Sequence, residues 1–217
     1  MSAIYGDPLL ESFSRYPATS LGIAIELRPS IAPRLNASSY ISVHSARSKT
    51  GQVALWRPVR HHLYRGRLIS SPIESSRSHV LQERVLQEIS QLIGSALFRF
   101  DEGGELIDFT PGIQRESMWT LDRCDTSQFE NEIRAQLDLP LGLVTSRDDW
   151  MAAEFDAPSH LDMIHPFRHL FARRPEMKFH RFEINGSNRG CFTLRGDSSL
   201  EEEMYHVVDY LEGVIDE

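Results

Sequence analysis

The stretch Phe98-Arg99-Phe100-Asp101-Glu102-Gly103-Gly104-Glu105-Leu106-Ile107-Asp108-Phe109 decides the fold. Phe98–Phe100 and Leu106–Phe109 are short runs of strand-forming residues. Between them, paired glycines supply the positive φ angles of a tight hairpin turn. A hairpin joins antiparallel strands, so the rest of the chain is read outward from an antiparallel pair.

Toward the N-terminus, Ser78 to Leu97 reads as a long helix. Leu81, Val85, Ile89, Leu92, Ile93 and Ala96 form one apolar stripe opposite Glu83, Arg84, Gln87 and Gln91. Before it, Leu21, Ile23, Ile25 and Leu27 alternate with smaller or polar neighbours, as do Ile41 and Val43, the period of a half-buried strand. Gln52–Trp56 and His62–Ile69 are two more strands, and the serine-rich Ser70–Ser78, with Pro72, is a joint. Toward the C-terminus, Met118–Leu121 adds a short strand. Ser127 and Glu130 form a capping box for a helix with Phe129, Ile133 and Leu137 on one face and Pro140 at its end. A shorter helix runs from Ser146 through Trp150. Met177–Ile184 and Cys191–Arg195 make a second hairpin. A last helix starts near Ser199 and buries Met204, Val207, Val208, Leu211 and Ile215. The expected class is α+β: a mostly antiparallel sheet from N-terminal strands and two hairpins, packed against about four helices, including the long central and C-terminal ones. A chain of 217 residues fits one domain, 1–217, with a subdivision near 70–78 into a strand-rich basic part (1–72) and a mixed acidic part (78–217).

Charge is sorted into blocks. The whole chain carries −8, yet Arg28 to Arg84 holds ten Arg and Lys against Glu74 and Glu83, a local +8. Asp101 to Asp162 reverses this with fifteen carboxylates against four arginines, −11; His165 to Arg195 returns to +5, and Gly196 to Glu217 carries −8. A block of one sign can attract a polyanion even when the molecule is acidic overall. No run of eighteen apolar residues exists and the N-terminus lacks the pattern of a secretory signal, so a cytoplasmic protein without membrane partners is expected. Cys124 and Cys191 are too few for a disulfide framework.

Two constellations offer chemistry. Arg57, Arg60, Arg65 and Arg67, interleaved with Trp56 and Tyr64, suit nucleic acid or an acidic protein partner: guanidinium groups meet phosphates or carboxylates while a ring stacks on a base. The competing reading is that these arginines pair with the chain's own acidic block. Asp156, His160, His165 and His169 offer the oxygen and imidazole ligands of a divalent metal, as in a metal-dependent hydrolase or nuclease. Pro166 fits a first helical turn, which places His165 near a helix start and His160 in a separate segment. No Walker loop or G-x-G-x-x-G is present, and Gly103-Gly104 lies between carboxylates that repel phosphate, so no nucleotide cofactor is expected.

Glu154-Phe155-Asp156, followed by His165-Pro166-Phe167-Arg168-His169-Leu170 and by Arg174-Pro175, resembles an uncharacterised bacterial family, domain of unknown function 2290. Phe171 stands where that pattern would have a histidine. The resemblance implies a bacterial protein of the antiphage-defence or mobile-element kind, with His165 and His169 as its site. The sequence reading is therefore a non-catalytic accessory or interaction subunit that uses its Arg-rich N-terminal face. A metal-dependent hydrolase is the alternative. The sequence leaves the oligomeric state open.

Overall fold

The computed structural model describes residues 14–17, 24–27, 39–146, 148–158, 160–184, 187–196 and 199–216. Strands β1 (Ser14–Pro17) and β2 (Ala24–Leu27) pair with each other. The strand read from Leu21 is thus β2, and its residues 21–23 lie outside the described part. Nine further strands build one antiparallel sheet: β3 (Ser39–Arg47), β4 (Val53–Leu55), β5 (Val59–Tyr64), β6 (Arg67–Pro72), β7 (Gly94–Phe100), β8 (Leu106–Pro111), β9 (Trp150–Pro158), β10 (Lys178–Ile184) and β11 (Ser187–Arg195). Their order is β10-β11-β9-β6-β5-β3-β7-β8, with β4 beside β3. The helices are α1 (Ser75–Glu88), α2 (Thr120–Arg123), α3 (Gln128–Gln136), α4 (Ile164–Arg173) and α5 (Leu200–Asp216). This is the α+β class read from the sequence, and the sheet mixes strands from both sides of residues 70–78.

The register assigns the two faces. Ile41 pairs Phe100 and Val43 pairs Phe98, and these four residues pack on Leu81 and Val85 of α1 and on Ile89 just beyond its end. Ile69 pairs Ala153 on the same face, where β9 and β11 meet α4 and α5 through Phe155, Phe192, Leu194, Leu170, Met204 and Val208. Successive strand residues point to opposite sides. Ser42, His44, Arg99, Ala152, Glu154 and Asp156 therefore lie on the other face. There α2, α3 and the segment 112–118 cover the sheet, with an apolar cluster of Trp56, Trp119, Phe129, Ile133 and Trp150 at one end. Trp119 stacks on Trp150 at 4.4 Å.

Four local readings are corrected. The helix read as Ser78–Leu97 ends at Glu88; a 3-10 turn follows, and Gly94 (φ 100°) opens the fully buried β7. A continuous apolar run fits helix and buried strand alike, so spacing alone carried the helix too far. Ile93 is 45% exposed as a result. The single strand His62–Ile69 is the hairpin β5–β6, turning at Arg65 and Gly66, whose φ angles are 47° and 76°. Positive φ at both central residues is the two-residue hairpin geometry, disguised by an arginine where asparagine is usual. Met118 and Trp119 form a turn into α2, which begins at Thr120, where a strand was read, and Trp150 opens β9 instead of closing a helix. By contrast, Ser127 Oγ accepts the Glu130 N–H at 3.2 Å, so Ser127 caps the helix as read, although Leu137 is 57% exposed.

One glycine is fixed by space. A Cβ on Gly190 of β11 would overlap the His180 carbonyl oxygen on β10. Gly190→Ala forces the two strands apart and is predicted to cost about 1–3 kcal/mol or more in urea unfolding. An unchanged midpoint would contradict this packing.

Candidate functional site

The second face of the sheet carries a band of polar side chains beneath residues 112–118, and most of it is closed to solvent. Arg99 on β7 is its centre, with a side chain 0% exposed. Its Nε donates to Glu116 Oε1 at 2.7 Å; its Nη1 donates to Asp108 Oδ2 at 2.5 Å and to Thr110 Oγ1 at 2.8 Å. Asp108 is directly opposite Arg99 on β8, and Glu116 reaches down from the 3-10 turn Arg115–Ser117. The adjacent Arg115 extends along the sheet toward β9 and β11. It donates to Asp156 Oδ2 (3.2 Å) and to the carbonyls of Phe155 (2.8 Å) and Gly190 (3.4 Å), and stands 3.7 Å from Glu154. Arg67 and Arg189 approach Asp156 at 3.6 and 3.4 Å. The segment itself is held by Gln128, which accepts the Gln114 N–H (3.0 Å) and donates to the Gln114 carbonyl (2.7 Å).

Between these charged groups lies a neutral relay. His61 on β5 bonds Ser42 through Nε2 (2.7 Å) and Ser70 through Nδ1 (2.8 Å), and Tyr40 stacks on its ring. His44 Nδ1 bonds Ser117 Oγ at 3.1 Å. Burial pushes His44 down to about 3 and His61 down to about 4, so both rings are neutral near pH 7. Glu154 is pushed the other way. Burial lifts it to about 7, Arg115 opposes the rise, and Glu116 and Asp156 add to it. A carboxyl poised near neutrality can hold or release a proton under ordinary conditions. Among the described residues, Arg99 Nη2, Arg115 Nε, His44 Nε2, Gln114 Oε1 and Glu154 Oε1 are buried without a hydrogen-bond partner. Native interiors rarely leave such atoms unmet, and their concentration on one face marks a place where a polar ligand or water belongs.

Of the residues singled out from sequence, Asp156 lies in this site and Arg67 reaches it from the edge, while the others fall elsewhere. Trp56 is buried and donates its indole N–H to the Thr126 carbonyl, which removes it as a stacking platform. Arg57 donates twice to the Ile73 carbonyl; Arg60 makes a bidentate pair with Glu102 (3.0 and 3.1 Å). Tyr64 donates to Asp209, Arg65 pairs Asp209 at 2.6 Å, and Arg67 pairs Glu212 at 2.6 Å. The basic strand is neutralised by Glu102 and by α5, so these six residues do not present one free cationic face. Of the metal set, Asp156 joins the arginine cluster, His160 and His165 are exposed, and His169 stacks on Tyr210 at 4.3 Å. Among the described residues, no group of three or more His, Cys, Asp or Glu side chains is placed to hold a metal ion. Sequence reasoning missed Arg99, Asp108, Arg115, Glu116 and Glu154. For Arg99 and Glu154 the available signal was charge within an otherwise apolar strand; Arg115 and Glu116 lie on a 3-10 turn and carried no such signal.

No protein-family model matches the chain. The N5-carboxyaminoimidazole ribonucleotide synthase of Mycobacterium tuberculosis is 28% identical over 170 residues, which cover 70% of this chain and 39% of that protein. The solved N5-carboxyaminoimidazole ribonucleotide synthetase of Thermus thermophilus superposes with a TM-score of 0.63 at 24% identity, over 84% of this chain and 52% of its own. The Aspergillus clavatus synthase in complex with ADP and 5-aminoimidazole ribonucleotide gives 0.66 at 16% identity, over 80% and 51%. A synthase from that organism is also solved with ATP. The chain thus spans 39% of the curated relative and about half of these solved structures. These findings overturn two expectations. The similar proteins are synthases, not accessory subunits of a defence complex that bind nucleic acid. Structures of the same fold hold ADP or ATP, against the expectation of no nucleotide.

The titrations have opposite signs. His44 and His61 take up protons more readily unfolded, at their ordinary 6.5, so they make stability rise with pH up to that value. Glu154, raised from 4.5 to about 7, holds its proton more tightly when folded and makes stability fall with pH across that window. Between pH 4.5 and 6.5 the two histidines outweigh the one carboxyl. Glu154→Gln is predicted to steepen the rise by about 1.4 kcal/mol per pH unit, measured by urea unfolding at several pH values. An unchanged slope would show that Glu154 titrates as an ordinary carboxyl. Glu116→Gln, which leaves Arg99 one carboxylate short, is predicted to cost about 3–5 kcal/mol.

Proposed function

We propose that this chain carries the sheet of an N5-carboxyaminoimidazole-ribonucleotide-synthase-like enzyme and binds a phosphorylated ligand of that reaction, a purine nucleotide or 5-aminoimidazole ribonucleotide, on the polar face beneath residues 112–118. The observation that carries the reading is the 28% identity over 170 residues to the mycobacterial synthase. The geometry agrees with it in kind. Guanidinium groups offer paired donors that match phosphate oxygens, and buried donors without partners await an acceptor. In this reading Glu154, lifted toward neutrality by burial, takes a proton from an amine as it gains a carboxyl group. No helix among the described residues is long and apolar enough to cross a membrane. A cytoplasmic setting goes with this reading, as do the free thiols Cys124 and Cys191.

The test is calorimetric titration with ADP, ATP and 5-aminoimidazole ribonucleotide, followed by an assay of phosphate release from ATP with the ribonucleotide and bicarbonate. At least one of the three ligands is expected to bind with a dissociation constant of about 1 mM or tighter. Arg115→Met should weaken that binding by about tenfold or more, the loss of one charge-assisted pair. Binding of none of the three by the folded protein would overturn the proposal.

A further inference from the structure

The polar face collects four carboxylates, Asp108, Glu116, Glu154 and Asp156, from three separate segments. Carboxylates gathered beside a nucleotide would ordinarily hold magnesium, which binds one or two of them together with the phosphates. Here the positive charge is already built in. Asp108 and Glu116 converge on Arg99, at 2.5 and 2.7 Å. Asp156 meets Arg115 at 3.2 Å, Arg189 at 3.4 Å and Arg67 at 3.6 Å, and Glu154 lies 3.7 Å from Arg115. A divalent ion placed between Asp108 and Glu116 would lie against the Arg99 guanidinium, which both carboxylates already engage. Like charges repel strongly in such a dry setting. Two donors on this face, Arg99 Nη2 and Arg115 Nε, have no hydrogen-bond partner among the described residues.

Resting on the function proposed above, we infer that Arg99 and Arg115 stand in for a divalent cation, so that a nucleoside diphosphate binds this face without magnesium. The guanidinium groups are permanently charged and fixed in place by their carboxylates, and Arg99 Nη2 and Arg115 Nε are the donors left on them for a phosphate oxygen. The carboxylates then serve to orient the arginines.

The experiment titrates the wild-type protein with ADP in excess magnesium and again in excess EDTA, and separately titrates Mn²⁺ alone, followed by its electron paramagnetic resonance signal. With the arginines in the cation's place, ADP affinities differ by less than about threefold between the two buffers, and no stoichiometric Mn²⁺ site is found. ADP binding that requires magnesium, by about tenfold or more, overturns the inference and leaves the proposed function standing. A stoichiometric Mn²⁺ site also overturns it. No ADP binding in either buffer overturns the inference; binding of 5-aminoimidazole ribonucleotide then decides whether the proposed function falls with it. Because these arms use the unaltered protein, they do not depend on a variant that folds. Arg99→Lys, which keeps the charge but loses the fork, adds a graded reading: ADP affinity should drop yet stay independent of magnesium.

Discussion

The buried contact between Arg99 and Glu116 is the constraint on which the rest of this structure depends. Both side chains are wholly removed from solvent, and each offsets the charge of the other where water cannot. Their pairing fixes the segment 112–118 over the sheet, because Glu116 can reach Arg99 only when its 3-10 turn sits on β7 and β8. The same turn aims the neighbouring Arg115 at β9 and β11. One ion pair thus sets the position of a second guanidinium farther along the face, and the two arginines hold the four carboxylates. Buried ion pairs add little net stability compared with apolar packing. Their presence in the middle of an otherwise well-packed sheet fits the proposed ligand-binding role of this face better than a role in stability.

The two faces of the sheet are divided by chemistry. The side against α1, α4 and α5 is filled with aliphatic and aromatic side chains, including the Phe155, Phe167, Phe179 and Phe192 group. That layer supplies the hydrophobic burial that offsets the cost of the polar one. The C-terminal helix has two roles. Its apolar stripe completes this layer, while Asp209 and Glu212 neutralise Arg65 and Arg67 at the β5–β6 turn.

Much of the fold was legible in the sequence, and less of the site. The Gly103-Gly104 hairpin, the Ser127 cap and the stripe of α5 are each set by local chemistry: a turn residue, a capping side chain, a helical period. The boundary between α1 and β7 was hidden because Leu92, Ile93 and Ala96 suit a helical stripe as well as a buried strand; only the sheet register separates them. The arginine-rich strand was read for its charge, but its partners Glu102, Asp209 and Glu212 lie far away in sequence, and the fold brings them in. The alternative that the blocks neutralise one another describes what the structure shows. Arg99 was not read as a site residue because it is a single charge within an apolar strand, and Glu154 because it stood out only as the neighbour of Asp156. Their meaning appears when alternation and register put them on one face with Glu116. Asp156 was singled out for a metal and lies in the site in a different role, as the carboxylate that Arg67, Arg115 and Arg189 share.

The most direct measurement of the central claim is amide hydrogen exchange, followed by mass spectrometry, on the protein with and without saturating ADP. Slowed exchange is predicted in the segment 112–118 and in β9, where Arg115, Glu154 and Asp156 meet. Protection confined to the surface cleft of about 420 Å³ lined by Arg60, His62, Ser71, Met151, Glu201 and Tyr205, or no protection anywhere, would contradict it.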